Sequence, residues 1–373
     1  MTVLVSTLAF VLLLSLLILI HEWGHFAAAR KFGVVVEEFG FGLPPKMKKI
    51  FKQGGTVFTI NWIPFGGFVR LKGENALTEK DRRAKGSFGA APIHGRVTIL
   101  LAGVFMNLML ALTILTVGFS AAGWIPTYLS YDEMRVAGEA GEINVDFSVL
   151  IDSVVGGSNA AISGIPAKSI VRTINGETIT FPDDIHSIQE GKSHVTYVVS
   201  RIEDGKVLED TERYSVQLTN GKAGVVIIPF PQNLSAPHRG PVQSLMLALR
   251  EARVMTSQTV IGIGKLFASL ASTGKVPEGI SGIIGIAQLT HGAVQEGLTN
   301  YLRLVALLSL SLAVLNVLPF PALDGGRLLF VVAEWITRRP VNRTFEMTTN
   351  AVGFVVLILL ILVITFNDII NLF

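Results

Sequence analysis

The sequence predicts a polytopic α-helical membrane protein: four TM helices, a membrane-associated β-hairpin and one extracytoplasmic α+β domain. Three observations carry this reading. Of 373 residues, 50% are hydrophobic and 16% charged, with a mean hydropathy of +0.54; a soluble globular chain carries about 25% charged residues. Four stretches lack charge for long enough to cross a bilayer, which takes about 20 apolar residues. The basic residues concentrate between those stretches, as topology signals do. The chain has no cysteine, which excludes a disulfide scaffold, an iron–sulfur centre, a thiol nucleophile and any Cys-based zinc site.

The first span falls in residues 1–31, whose first 20 residues carry no charge. No basic residue precedes this run, and Arg30 and Lys31 follow it, so a retained span is expected rather than a cleaved signal peptide. Residues 32–96 form a basic segment. Inside it, residues 54–72 read as a β-hairpin: Thr56 to Ile63 has strand composition, Pro64-Phe65-Gly66-Gly67 punctuates it, and Phe68 to Leu71 follows. The hairpin is unusually apolar. Its residues fit either a cytoplasmic surface or membrane depth, where backbone is tolerated if it lines a cavity. The second span is 97–119.

Residues 144–228 differ. Short β-rich runs alternate with turn signals such as Asn175-Gly176, and Ser158 to Ser163 opens a short helix. They read as one compact domain. Residues 240–300 follow as an amphipathic segment, because Arg250, Glu251 and Arg253 interrupt its apolar pattern. Its uncharged, Gly-rich part, 279–295, reads as a loop or interfacial stretch. The third span is 304–326 and the fourth 347–372.

Charge sets the orientation. Residues 26–98 hold 13 Lys+Arg against 5 Asp+Glu, residues 326–350 hold 4 against 2, and residues 119–303 hold 14 against 18. The positive-inside rule puts the two basic segments in the cytoplasm. Both termini and the 144–228 domain then lie outside. The lipid bilayer is the expected partner of these basic loops; no nucleic acid is.

His21-Glu22-Trp23-Gly24-His25 fits H-E-x-x-H. On a helix the two imidazoles lie about 40° apart, on one face. That geometry suits two nitrogens sharing one zinc, with Glu22 near a bound water. The His and Glu content predicts about 0.006 such matches by chance. The motif also ends an apolar helix, where ionisable residues are costly and functional. A third ligand is required. The metzincin pattern fails, because Ala28 and Lys31 stand where its Gly and third His would. Asp324 is the best candidate: it breaks the third span in N-V-L-P-F-P-A-L-D-G-G, and topology puts it at the same membrane face as His21. An Asp that merely ends a helix before two glycines is the plainer reading of Asp324 alone.

With both segments in view, the chain resembles the site-2 protease family of intramembrane zinc metalloproteases, most closely the bacterial regulator-of-sigma-E type. The likeness covers nearly the whole chain. It implies Zn2+ held by His21, His25 and Asp324, with Glu22 as general base. It also implies substrate contacts from Asn316, from Asn107 in Gly103-Val104-Phe105-Met106-Asn107, and from Gly66 and Gly67 in a membrane-reentrant hairpin whose edge pairs with unwound substrate. The 144–228 domain is similar to a PDZ domain, although Lys168-Ser169 stands where many such domains have Gly-Asp. The implied substrates are single-pass transmembrane proteins, an anti-sigma factor or remnant signal peptides, already trimmed by an upstream site-1-type protease. The implied location is the bacterial inner membrane. Two rivals stand against an enzyme: a membrane zinc transporter, which would want acids or His in several spans, and a non-catalytic membrane scaffold.

Overall fold

The computed structural model describes residues 2–74, 76, 78–203 and 206–372. Met1 of the first predicted run and Asp204 and Gly205 of the predicted domain lie outside the described residues. The chain divides into two units, Met1–Ala122 with Arg239–Phe373, and Gly123–His238.

The first unit begins with helix α1 (Thr2–Lys31), strands β1 (Val36–Gln53) and β2 (Thr56–Leu71), the single turn α2 (Glu79–Arg82) and helix α3 (Ile93–Ala121). The second unit holds α4 (Tyr131–Glu139), β3 (Asn144–Val154), α5 (Asn159–Ile162), β4 (Ser169–Ile174), β5 (Glu177–Thr178), α6 (Pro182–Gln189), β6 (His194–Glu203), β7 (Lys206–Val207), β8 (Glu212–Gln217) and β9 (Val225–Ser235). The first unit resumes with α7 (Pro241–Ser272), α8 (Ile283–Glu296), α9 (Leu298–Val317), α10 (Asp324–Thr337) and α11 (Arg343–Ile370).

Among the described residues, five helices are long and apolar enough to cross a membrane. Four of them, α1, α3, α9 and α11, overlap the four predicted spans. The fifth is α7, the segment read as amphipathic, and it is the least apolar of the set. The stretch 279–295, read as a loop or interfacial segment, is mostly the helix α8.

Helices α1 and α3 run antiparallel and touch backbone to backbone. A Cβ on Gly24 would lie 2.3 Å from the carbonyl oxygen of Ala102. A glycine in mid-helix costs helix stability; here it permits the approach that sets the site.

The predicted hairpin is corrected by the structure. The two halves of residues 54–72 do not pair with each other. Thr56–Leu71 is one long strand, and the preceding residues, Val36–Gln53, supply its partner. Strand β1 bends at Gly42 to Pro45, so its first part sits between the two halves of β2: Phe39 lies opposite both Val69 and Phe58, and Gly40 opposite both Phe68 and Thr59. The second part of β1 returns along the outside, with Lys49 opposite Thr59 and Gln53 opposite Thr56. The result is a small sheet with two free edges, Gly67–Leu71 and Lys46–Gln53. Strand β1 is hard to read from composition because Pro44-Pro45 interrupts it and four lysines fill its second part.

In the second unit, the sheet order is β7-β6-β4-β3-β9, with β5 on β4 and β8 on β6. Val149, Ile151, Ile174, Val199 and Val216 are fully or almost fully buried in its core. Tyr197 is buried there too, and burial pushes its hydroxyl up to about 12 despite a hydrogen bond from Gln189. Helix α6 is held at its start by Asp184. Burial alone would raise this carboxyl, but donors from Phe181 and Thr180 outweigh it and hold it below the usual carboxylate range.

Under the helices of the first unit, Arg96 of α3 donates to Glu334 of α10 at 2.6 Å, and the Arg96 side chain is 6% exposed. Removing one partner of a buried pair costs about 3–5 kcal/mol, while replacing both can be near neutral. Glu334→Gln is therefore expected to lower the thermal unfolding midpoint in detergent more than the Arg96→Met/Glu334→Leu double variant does. Equal midpoints for the two would show that this pair carries no such strain.

Candidate active site

The last turns of α1 carry the H-E-x-x-H residues, and the break after α9 brings Asp324 to them. Helix α9 stops at Leu318, Pro319 and Pro321 prevent its continuation, and Ala322 adopts a φ of 76°. Asp324 then opens α10, where an acid suits the positive end of the helix dipole. The two glycines after it are required by space. A Cβ on Gly325 would lie 2.2 Å from the carbonyl oxygen of Leu318, and one on Gly326 would lie 2.3 Å from that of Phe320.

Three ligand atoms converge. His21 Nε2 is 3.0 Å from Asp324 Oδ2, His25 Nε2 is 3.2 Å from the same oxygen, and the two Nε2 atoms are 3.1 Å apart. Both imidazoles are buried. His25 Nδ1 lies 2.8 Å from the carbonyl oxygen of Ile99. A carbonyl only accepts, so Nδ1 carries the proton and Nε2 presents a lone pair. Behind His21 stands Asn107, fully buried, with its amide nitrogen 3.4 Å from His21 Nδ1 and its Oδ1 without a partner among the described residues. A carboxamide can present either its oxygen or its nitrogen to the same neighbour. Turned over, Oδ1 accepts from His21 Nδ1–H, and both rings offer bare Nε2 atoms to one point. Two imidazoles and a carboxylate form a donor set that fits zinc.

Glu22 lies beside this cluster, and its Oε2 accepts a hydrogen bond from the backbone N–H of Val69 at 3.0 Å. A cavity of about 440 Å³ joins them, lined by His21, Glu22, His25, Val69, Asn316 and Asp324 among others. Asn316 thus reaches the site as expected, though its amide donates to Leu312 within its own helix. Asn107 supports His21 and does not line the cavity. Gly66 and Gly67 do not line it either. They seat the turn of β2 against Ile18 and Leu19 of α1, and the strand after them, Phe68–Leu71, faces the cavity instead.

Sequence reasoning missed three participants. Gly103 of α3 faces the imidazoles: a Cβ there would lie 2.6 Å from His25 Nε2 and 2.7 Å from His21 Nε2. Its place in Gly103-Val104-Phe105-Met106-Asn107 was the available signal. Val69 acts through its backbone, which leaves no trace in residue identity. Arg327, one turn after Asp324, pairs with Glu74 just beyond β2, and both line the cavity.

Comparison with known proteins agrees with this chemistry. The family model described as Peptidase family M50 matches residues 9–360. The chain is similar to the zinc metalloprotease RasP of Bacillus licheniformis, 27% identical over 446 residues covering 99% of each chain. It is 27% identical over 453 residues to RasP of Shouchella clausii, again 99% of each. A Clostridium perfringens chain provisionally named a zinc metalloprotease is 30% identical over 369 residues, 95% of this chain and 96% of that one. The match spans nearly the whole chain and the cofactor is zinc, so the transporter and scaffold readings give way: the chain belongs to peptidase family M50, the site-2 protease family, and is a zinc metalloprotease.

Proposed function

We propose that the chain cleaves peptide bonds inside the membrane, in single-pass transmembrane proteins already trimmed by an upstream site-1-type protease, such as an anti-sigma factor or remnant signal peptides. The observation that carries this reading is the bond from Val69 N–H to Glu22. It ties the free edge of a β-sheet to the catalytic carboxylate. A transmembrane helix hides its amide bonds, so an extended substrate must be held by backbone pairing, and a free edge supplies it.

The depth of the sheet supports the same reading. Ser15 donates to the carbonyl of Pro64 at 2.9 Å, and Phe65 packs edge-on against Phe10 at 6.3 Å between ring centroids. Phe10 stands about 16 Å along the helix from His21, on its apolar side. The turn of β2 therefore follows α1 into the bilayer, as a reentrant element would.

In this reading His21, His25 and Asp324 hold zinc. Zinc, when bound, polarises the scissile carbonyl and lowers the pKa of water toward neutrality. Glu22 takes the water's proton as general base and passes it to the leaving nitrogen. Val69 N–H keeps the Glu22 carboxylate aimed at the cavity, Asn107 fixes the His21 ring, and Asn316 steadies the substrate backbone.

Four contacts support the topology. His25 lies by Ile99 and His21 by Asn107, so α3 runs opposite to α1. His291 of α8 meets Ser6 at 2.8 Å, and the Tyr301 hydroxyl donates to Ala9 at 2.9 Å. Residues 122–297 thus leave and return at the N-terminal end of α1, so the segment as a whole makes no net crossing, with α7 running alongside α9 within it. Four spans, both termini outside, and a PDZ-like extracytoplasmic domain at residues 144–228 fit this path in a bacterial inner membrane. That domain acts as a size filter or a peptide reader.

The test is cleavage of a panel of short substrates by the zinc-loaded protein in proteoliposomes. Single-pass membrane segments are expected to be cut within the bilayer, and soluble unfolded peptides at least about tenfold more slowly, because only the former enter at the depth of Val69. Preference for soluble peptides would refute the intramembrane reading.

A further inference from the structure

The second free edge of the small sheet, Lys46–Gln53, has no role in the chemistry above. Its sequence is K-M-K-K-I-F-K-Q, with four lysines and no acid. Every residue in it is exposed. Lys46 reaches back 2.8 Å to the buried Glu38. Among the described residues, the side chains of Lys48, Lys49 and Lys52 enter no ion pair or hydrogen bond. Between these lysines, Met47, Ile50 and Phe51 are exposed at 55%, 45% and 46%, and Trp62 beside them on β2 is 64% exposed. Three unpaired cations interleaved with bare apolar side chains are a costly surface in water alone.

The position of this edge gives it a partner. Gly54, at one end of the sheet, lies against the Arg30 guanidinium at the basic end of α1, and Phe65, at the other end, lies against Phe10. The sheet thus runs along about 30 Å of α1. Lys49 is level with Thr59, Gly40 and Phe68 across the sheet, and Phe68 is one residue from Val69 at Glu22. The lysines therefore sit near the height of the catalytic residues, where α1 stops being apolar, while Trp62 and Phe65 stand further along β2, with Phe65 against Phe10 in the apolar part of α1.

We infer that Lys48, Lys49 and Lys52 form a binding strip for anionic phospholipid headgroups of the cytoplasmic leaflet, with Ile50 and Phe51 between them at the interface and Met47 and Trp62 on the side of the acyl chains. The charge complementarity is direct, and such lysines add surface attraction that salt screens. A bound headgroup row would hold the outside of the sheet while its inner edge, Gly67–Leu71, serves the site. This inference rests on the reentrant reading of the sheet.

The experiment uses the full-length zinc-loaded protein in vesicles containing spin-labelled phosphatidylglycerol or phosphatidylcholine, and reads the motionally restricted lipid. The expected result is preference for phosphatidylglycerol, lost by roughly fivefold for each lysine neutralised. It falls in the Lys48→Gln/Lys49→Gln/Lys52→Gln variant, survives in the corresponding Lys→Arg variant, and weakens in high salt. Unchanged preference in the Gln variant would overturn the proposal. So would a variant that keeps its lipid preference but raises KM only for substrates with acidic cytoplasmic flanks, which would assign the strip to peptide. Because the chain has no cysteine, a nitroxide on Trp62→Cys reports depth independently. A label in the aqueous phase would sink the reentrant reading; a label among acyl chains with no lipid preference would sink only the lipid strip.

Discussion

A Glu22→Gln protein is expected to bind zinc at the wild-type stoichiometry and to cleave a membrane-spanning substrate at least about 10³-fold more slowly. General acid–base groups contribute roughly 10²–10⁴-fold, and in the proposed mechanism one carboxylate serves both proton transfers. The substitution keeps the side-chain shape and leaves the converging atoms of His21, His25 and Asp324 untouched, since Glu22 bonds to Val69 rather than to any of them. Turnover and zinc content measured on the same preparation decide the matter. Cleavage at the wild-type rate would remove Glu22 from the mechanism. Loss of zinc would make it a structural residue instead.

The second large effect is expected from Gly103→Ala, a change of one methyl group on a helix that offers no metal ligand. That methyl would stand 2.6 Å from His25 Nε2 and 2.7 Å from His21 Nε2, closer than nonbonded atoms tolerate. It would fill the place on which the two ring nitrogens converge. Zinc affinity is expected to fall by about 10–100-fold, the scale seen when the surroundings of a metal site are disturbed, with cleavage falling alongside it. The unfolding midpoint of the metal-free protein should move much less than the zinc affinity. A Gly103→Ala protein with full zinc content would show that the metal does not sit between the two imidazoles.

These two positions show what the sequence made legible. His21 and His25 are four positions apart on one helix with Glu22 between them, so helical geometry alone sets the two imidazoles side by side. Asp324 is separated from His21 by 303 positions, and no local rule joins them. Matching membrane sides and the resemblance of L-D-G-G did. The apolar helices α1, α3, α9 and α11 were visible because hydropathy dominates where lipid is the solvent. The small sheet was half visible: β2 has strand composition, whereas β1 carries Pro44-Pro45 and four lysines after them. Its pairing depends on α1 as a support, which composition does not encode. The tie between Glu74 and Arg327 was invisible for the same reason as Asp324, and Val69 because a backbone N–H is common to every residue but proline. Helix α7 remains the least decided by composition, since Arg250, Glu251 and Arg253 sit within an otherwise apolar stretch.

The ion pair of Glu74 with Arg327 has a mechanical meaning. Glu74 closes the strand that would hold the substrate, and Arg327 lies one turn from the carboxylate that would hold the metal. Strap and blade are riveted together. A peptide laid along such an edge would be measured like cloth against a fixed rule, by how far it has been drawn in rather than by its pattern. Substitutions in a substrate would then shift cleavage little, while insertions that slide it by two residues, one repeat of an extended strand, would move the cut by the same two.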